Sequence, residues 1–224
     1  DLSKMIPWYL KDWEYSDDYT KLKLHLRKGL KWSDGEELTA DDYVFWYKYD
    51  GTNEELSPTP PSKYGDPVMN MTKEDKYTVI IHYDKPSPDA YVGDIIVMCF
   101  YEMQPAHYMK QFHPDFIGKE AANKKAKEVG FDNWYDLYNR ILKDSPIHLE
   151  DKYRRPTLYP YIVVNRTENL MLLERNPYYP FVDSEGNQLP YIDRIQVNLA
   201  NNKEMVKMKT ATGGADFSYD QLVT

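Results

Sequence analysis

The clearest periodicity near the start of the chain is Lys21-Leu22-Lys23-Leu24-His25-Leu26-Arg27, where leucine alternates with charged or polar residues. A period of two puts Leu22, Leu24 and Leu26 on one face of a half-buried strand. Turn chemistry follows at Gly29 and Ser33-Asp34-Gly35, and Thr39-Ala40-Asp41-Asp42 reads as a helix start. Thr39 is the cap, and the two carboxylates suit the positive end of the helix dipole. Tyr43, Val44, Trp46 and Tyr47 carry the amphipathic pattern on. Four prolines (Pro58, Pro60, Pro61 and Pro67) mark residues 53–67 as a loop. Lys76 to Tyr83, rich in β-branched and aromatic residues, is a second strand.

Further along, the apolar stretch Tyr91 to Met109 is interrupted at Pro105, which predicts a helix, a break and a short helix through His107 and Tyr108. Helices are predicted over Lys119 to Val129 and over Trp134 to Leu142, on either side of Gly130. Ile162-Val163-Val164 and Leu170 to Arg175 read as strands, and Pro177 to Pro190 as a turn-rich loop. Ile195, Val197 and Leu199 are in phase for a strand over Ile192 to Leu199. Lys203 to Thr210 is helical before Gly213-Gly214, and Asp216-Phe217-Ser218-Tyr219 begins another strand. The mixture of elements indicates an α/β or α+β fold.

Composition narrows the function. The 224 residues are ample for a hydrophobic core. A formal charge of −8 argues against nucleic acid or an anionic membrane as partner, since both demand a cationic surface. Lys124-Lys125-Lys127 and Arg154-Arg155 read as solvated faces. The longest apolar run, Ile95 to Tyr101, is far short of the ~20 residues that span a bilayer. The single Cys99, set in an apolar run, forms neither an internal disulfide nor a multi-thiolate zinc site and reads as a buried small apolar residue. The chain opens at Asp1 with no signal-peptide pattern, so the protein is expected to be cytoplasmic or to have had that segment removed. Aromatic residues make up 15% of the chain, enough to line a binding cleft as well as fill a core.

Catalytic chemistry is not supported. Glu36/Glu37 and Asp41/Asp42 are neighbours in sequence, which rarely flank a substrate, and read as capping and solvated groups. His107 and His113, six apart and bracketed by Pro105 and Pro114, do not share a helix face, so no metal site is expected. Nucleophile-elbow, Walker, dinucleotide-binding and H-E-x-x-H patterns are missing from the sequence. The sequons Asn70-Met71-Thr72 and Asn165-Arg166-Thr167 carry little weight. No cofactor is expected.

Several segments resemble one family. Leu26-Arg27-Lys28-Gly29-Leu30-Lys31-Trp32-Ser33-Asp34-Gly35, followed by Thr39-Ala40-Asp41-Asp42-Tyr43, is similar to the signature of the extracellular solute-binding proteins of ABC importers, family 5: a strand ending in L-R, then K-W-S-D-G, and T-A-x-D opening a helix. Gln104-Pro105-Ala106-His107-Tyr108 resembles the family's P-x-H-Y. Glu174-Arg175-Asn176-Pro177-Tyr178 and Leu189-Pro190-Tyr191-Ile192-Asp193-Arg194-Ile195 resemble R-N-P-x-Y and L-P-Y-[IL]-D-x-I, and Gly213-Gly214-Ala215-Asp216-Phe217 resembles G-x-x-D-[FL]. Where many members have G-T-G-P-Y, this chain has Arg155-Pro156-Thr157-Leu158-Tyr159-Pro160-Tyr161.

The resemblance implies an α/β, type II periplasmic-binding-protein-like fold, of which the chain is an internal fragment of the first lobe with its accessory subdomain. Residues 1–145 would be the accessory subdomain and 146–224 part of the main subdomain, with the second lobe absent. The implied function is non-enzymatic capture of oligopeptides or related solutes for ABC permease subunits. It would take place in the periplasm or at the outer face of the cytoplasmic membrane, held there only by a lipid anchor on a preceding segment. An aromatic-rich carbohydrate-binding protein, either an oligosaccharide-binding importer subunit or a stand-alone module, is the alternative; a secreted hydrolase lacks its constellation. Thr157, Tyr159, Ser218 and Tyr219 are the candidate ligand-facing residues. Asp34-Gly35, Thr39, Arg175 and Asp193 are expected to act structurally, as turn, cap and loop anchors.

Overall fold

In the computed structural model, which describes residues 8–56, 68–88, 103–200 and 202–218, the alternating leucines form one of the two central strands of an antiparallel sheet. Strands β1 (Leu10–Tyr15), β2 (Lys21–Leu26), β3 (Met69–Asp75) and β4 (Thr78–Tyr83) lie in the order β1-β2-β4-β3. Register aligns Leu22 with Ile81 and Ile81 with Met71, and Leu24 with Val79, so one face of the sheet is a continuous buried row. β4 starts two residues later than the sequence predicts, because Lys76 and Tyr77 form the turn from β3. The Asp75 carboxylate accepts the Tyr77 N–H there at 2.7 Å.

Helix α1 (Ala40–Phe45) packs against β3 and β4 and buries Ala40, Asp42, Tyr43 and Phe45. It runs into a π-helical turn, Trp46–Gly51, closed by the Thr52 N–H on the Tyr47 carbonyl at 3.0 Å. Gly51 lies against the Trp46 ring, which a Cβ would approach to 3.2 Å. A second layer follows: α2 (Ala106–Met109), α3 (Pro114–Ile117), α4 (Lys119–Glu128) and α5 (Trp134–Lys143), then 3-10 turns at Pro146–His148 and Asp151–Tyr153. Asn133 caps α5 by accepting the Asp136 N–H at 3.0 Å. The apolar faces of α4 and α5 meet Phe45, Met109, Leu149 and Tyr153 in one buried cluster around Trp134, Leu137, Tyr138 and Ile141.

By chain contacts the molecule divides into two units, Asp1–Leu158 and Tyr159–Thr224. The second unit holds an antiparallel sheet of β5 (Tyr161–Arg166), β6 (Leu170–Arg175) and β7 (Arg194–Asn198) in that order. Helix α6 (Lys203–Ala211) follows, capped by Asn202. On β7, Ile195 and Val197 are half-buried while their neighbours are exposed, as the alternation predicts. The strand predicted from Asp216 does not form over residues 216–218, where Phe217 is 80% exposed and has no ladder partner among the described residues. Residues 57–67 and the run around Cys99 lie outside the described residues, as does Tyr219. Among the described residues, no helix is long and apolar enough to cross a membrane.

Candidate functional site

The stretch Lys31-Trp32-Ser33-Asp34-Gly35 is a tight turn between Leu30 and Leu38. The Leu38 N–H reaches the Leu30 carbonyl at 2.8 Å, and the Trp32 N–H reaches the Glu36 carbonyl at 2.8 Å. Gly35 has φ 92°, a left-handed conformation that favours glycine, and its N–H closes on the Trp32 carbonyl. Three of its residues then reach different parts of the first unit. The buried Trp32 donates its indole N–H to Asp42 Oδ2 at 3.3 Å, and Asp34 Oδ2 meets His107 Nε2 at 2.7 Å. Ser33 pairs with Thr157: its N–H bonds to the Thr157 carbonyl at 3.0 Å, and its Oγ accepts the Thr157 N–H at 3.0 Å.

Asp42 caps two helices with one carboxylate. Oδ2 accepts the Thr39 N–H at 3.0 Å, completing a capping box with Thr39 at the start of α1, and Oδ1 accepts the Ala106 N–H at 2.9 Å at the start of α2. Of the reading of Asp41/Asp42 as capping and solvated groups, capping holds for Asp42 and solvation does not, since it is 4% exposed. Burial raises its pKa above the usual carboxylate range, against the pull of its three donors. Asp41 is exposed and pairs with Lys73 at 2.6 Å. Glu37 accepts from Lys76 and from the Tyr77 hydroxyl, and these contacts hold its pKa down.

The segment leading to Thr157 is held by its arginines. Arg154 donates to the Pro146 and Leu149 carbonyls, and Arg155 Nη1 donates to the Ile141 and Asp144 carbonyls at the C-terminus of α5. Both side chains are at least half-buried, so the solvated-face reading of Arg154-Arg155 is replaced by a capping role, which the sequence pattern does not reveal. Beyond the joint, Asn176 plays the matching part. Its Nδ2 donates to the Tyr159 carbonyl at 3.0 Å, its N–H donates to the Pro160 carbonyl at 2.8 Å, and its Oδ1 accepts the Tyr178 N–H at 3.0 Å. Arg175 and Asp193 form the anchor expected of them, with the Arg175 Nε 3.1 Å from Asp193 Oδ1.

Of the candidate ligand-facing residues, Thr157 lies in the first unit and is 8% exposed, whereas Tyr159, in the second, is 42% exposed. Ser218 is exposed in the second unit, and Tyr219 lies outside the described residues. His107 is engaged by Asp34, and His113 is buried at the start of α3, where Nδ1 accepts the Asp115 N–H at 3.2 Å. No group of three or more metal-ligating side chains occurs among the described residues. The arrangement is thus built largely from hydrogen bonds that fix backbone. Ser33, Asp42 and Asn176 all lie within the family motifs, yet sequence reasoning assigned none of them these partners.

Known proteins share sequence and fold with this chain. The chain is 29% identical over 199 residues to the periplasmic alpha-galactoside-binding protein of Rhizobium meliloti, covering 87% of this chain and 26% of that protein. It superposes on an oligopeptide-binding protein OppA with a TM-score of 0.76 at 35% identity, covering 93% of this chain and 32% of that one. It also superposes on the periplasmic binding protein MelB of Agrobacterium fabrum, solved in complex with stachyose, with a TM-score of 0.66 at 28% identity, over 94% of this chain and 29% of that one. The chain therefore has the mixed helix–sheet fold of a part of the periplasmic binding proteins, spanning between a quarter and a third of these relatives. The model of the bacterial extracellular solute-binding proteins, family 5 Middle, matches residues 4–223, and the chain belongs to that family.

Proposed function

We propose that the chain is part of the substrate-capture component of an ABC importer, which binds a solute outside the cytoplasmic membrane and delivers it to permease subunits without chemical change. The carrying observation is the family match over residues 4–223. On this reading residues 1–145 are the accessory subdomain of lobe one and 146–224 part of its main subdomain. The protein works in the periplasm or lipid-anchored at the outer face of the cytoplasmic membrane. Ligand is held between lobes that close on it, with Thr157, Tyr159, Ser218 and Tyr219 contributing from this lobe.

Oligopeptides are the first ligand class, in line with the OppA likeness. Oligosaccharides are the second, favoured by two relatives whose names carry an α-galactoside and stachyose. Calorimetric titration of stachyose and of tetraalanine into the full-length protein, and separately into residues 1–224, tests the reading. Binding by the full-length protein with little or none by the 224 residues is expected. Tight stachyose binding by the 224 residues alone would replace the importer reading with a stand-alone carbohydrate module.

A further inference from the structure

Residues 154–160 carry the chain from the 3-10 turn Asp151–Tyr153 into β5, and none of them belongs to a helix or strand. Pro156 and Pro160 remove two backbone donors from so short a segment. Its conformation therefore depends on partners elsewhere in the chain. Within the first unit, Ser33 holds Thr157 through both its N–H and its Oγ, each at 3.0 Å. Within the second unit Asn176, only 1% exposed, holds the carbonyls of Tyr159 and Pro160, by its side chain at 3.0 Å and its backbone N–H at 2.8 Å.

We propose that Ser33 and Asn176 are positioning residues for ligand binding, which fix Thr157 and Tyr159 before the ligand arrives and so set affinity without touching the ligand. This rests on the ligand-facing reading of Thr157 and Tyr159 given above. A segment lacking its own ladder must otherwise be ordered at the moment of binding, and that entropy is subtracted from affinity. Ser33 within the first unit and Asn176 within the second each take away part of that loss.

The test uses the full-length protein and four forms: wild type, Ser33→Ala, Ser33→Thr and Asn176→Asp. Ser33→Ala removes only the acceptor of the Thr157 N–H, and threonine restores a hydroxyl. Asn176→Asp keeps the acceptor of the Tyr178 N–H and removes the donor to Tyr159; should it fold poorly, the serine pair carries the test. Hydrogen exchange of peptides covering residues 156–161 is measured without ligand, and binding of stachyose and tetraalanine by calorimetry.

The expected result is exchange at 156–161 faster by about fivefold or more in Ser33→Ala and Asn176→Asp, with β2 and α5 unchanged. Affinity for whichever probe wild type binds is expected to fall about tenfold, and Ser33→Thr to restore both. Unchanged exchange at 156–161 overturns the proposal, and so does faster exchange with unchanged affinity. If wild type binds neither probe, the ligand assignment fails by itself, and the exchange result still decides whether the two side chains hold the segment.

Discussion

The carboxylate of Asp42 accepts the backbone N–H of Ala106 at 2.9 Å across 64 residues of sequence, while its other oxygen caps α1 and takes the Trp32 indole N–H. One buried group thus ties the signature turn, the first helix and the P-x-H-Y segment together. Asp42→Ala leaves three donors without an acceptor, and the expected loss is on the order of 3 kcal/mol or more. Asp42→Asn keeps one oxygen and turns an N–H toward the remaining donors, so it falls between. Thr39→Ala, which removes only a cap, is expected to lose about 1 kcal/mol. Chemical denaturation midpoints of the three variants check the order.

Asp50 gives a pH dependence of defined sign. It lies in the π-helical turn, 2% exposed, and accepts the Tyr138 hydroxyl at 2.6 Å. Burial pushes its pKa up to about 7, against the opposing pull of Tyr138 and Arg155. The folded state therefore holds a proton that the unfolded state has released between about pH 4 and pH 7. The Asp50 contribution to stability is fully present at the acid end of that window, declines as pH rises through it and is flat above, by at most a few kcal/mol. Subtracting the stability profile of Asp50→Asn from that of wild type isolates the slope; a difference that grows with pH in the opposite sense would contradict the assignment.

The Arg175–Asp193 pair, although part of a family motif, is solvent-exposed, with 77% of the Asp193 side chain accessible. Screening and side-chain entropy leave such a pair worth less than about 1 kcal/mol. The backbone bond from the Arg175 N–H to the Asp193 carbonyl, at 2.9 Å, survives side-chain removal. Asp193→Ala is expected to move the melting temperature far less than Asp42→Ala does, and scanning both side by side settles the contrast.

Elements with an unbroken period were legible: β2, the capped start of α1, α4, α5 and β6 all lie where hydrophobic spacing put them. Strand β1 was not, because a bulge between Leu10 and Asp12 breaks its alternation, bringing Leu10 and Trp13 out of simple phase. β3 shows only Met69 and Met71 before the charged run Lys73 to Asp75, too little for a period to stand out. The candidate site was legible as motif but not as geometry. Ser33 meets a partner 124 residues away, and two adjacent aspartates that read as capping and solvated groups do not show which of them the fold buries. Local pattern carries turn and cap chemistry; it carries no information on which distant backbone amide a short polar side chain will find.

The most direct test of the importer account is thermal unfolding of the full-length protein against a library of oligopeptides and oligosaccharides, stachyose included. A ligand bound only by the folded state at ~100-fold excess over its dissociation constant stabilises it by about 2.7 kcal/mol, which is read as a clear rise in midpoint. The expected result is such a rise with one ligand class and not the other, which also names the cargo. No shift with any member, together with stachyose binding by the 224 residues alone, would contradict the account.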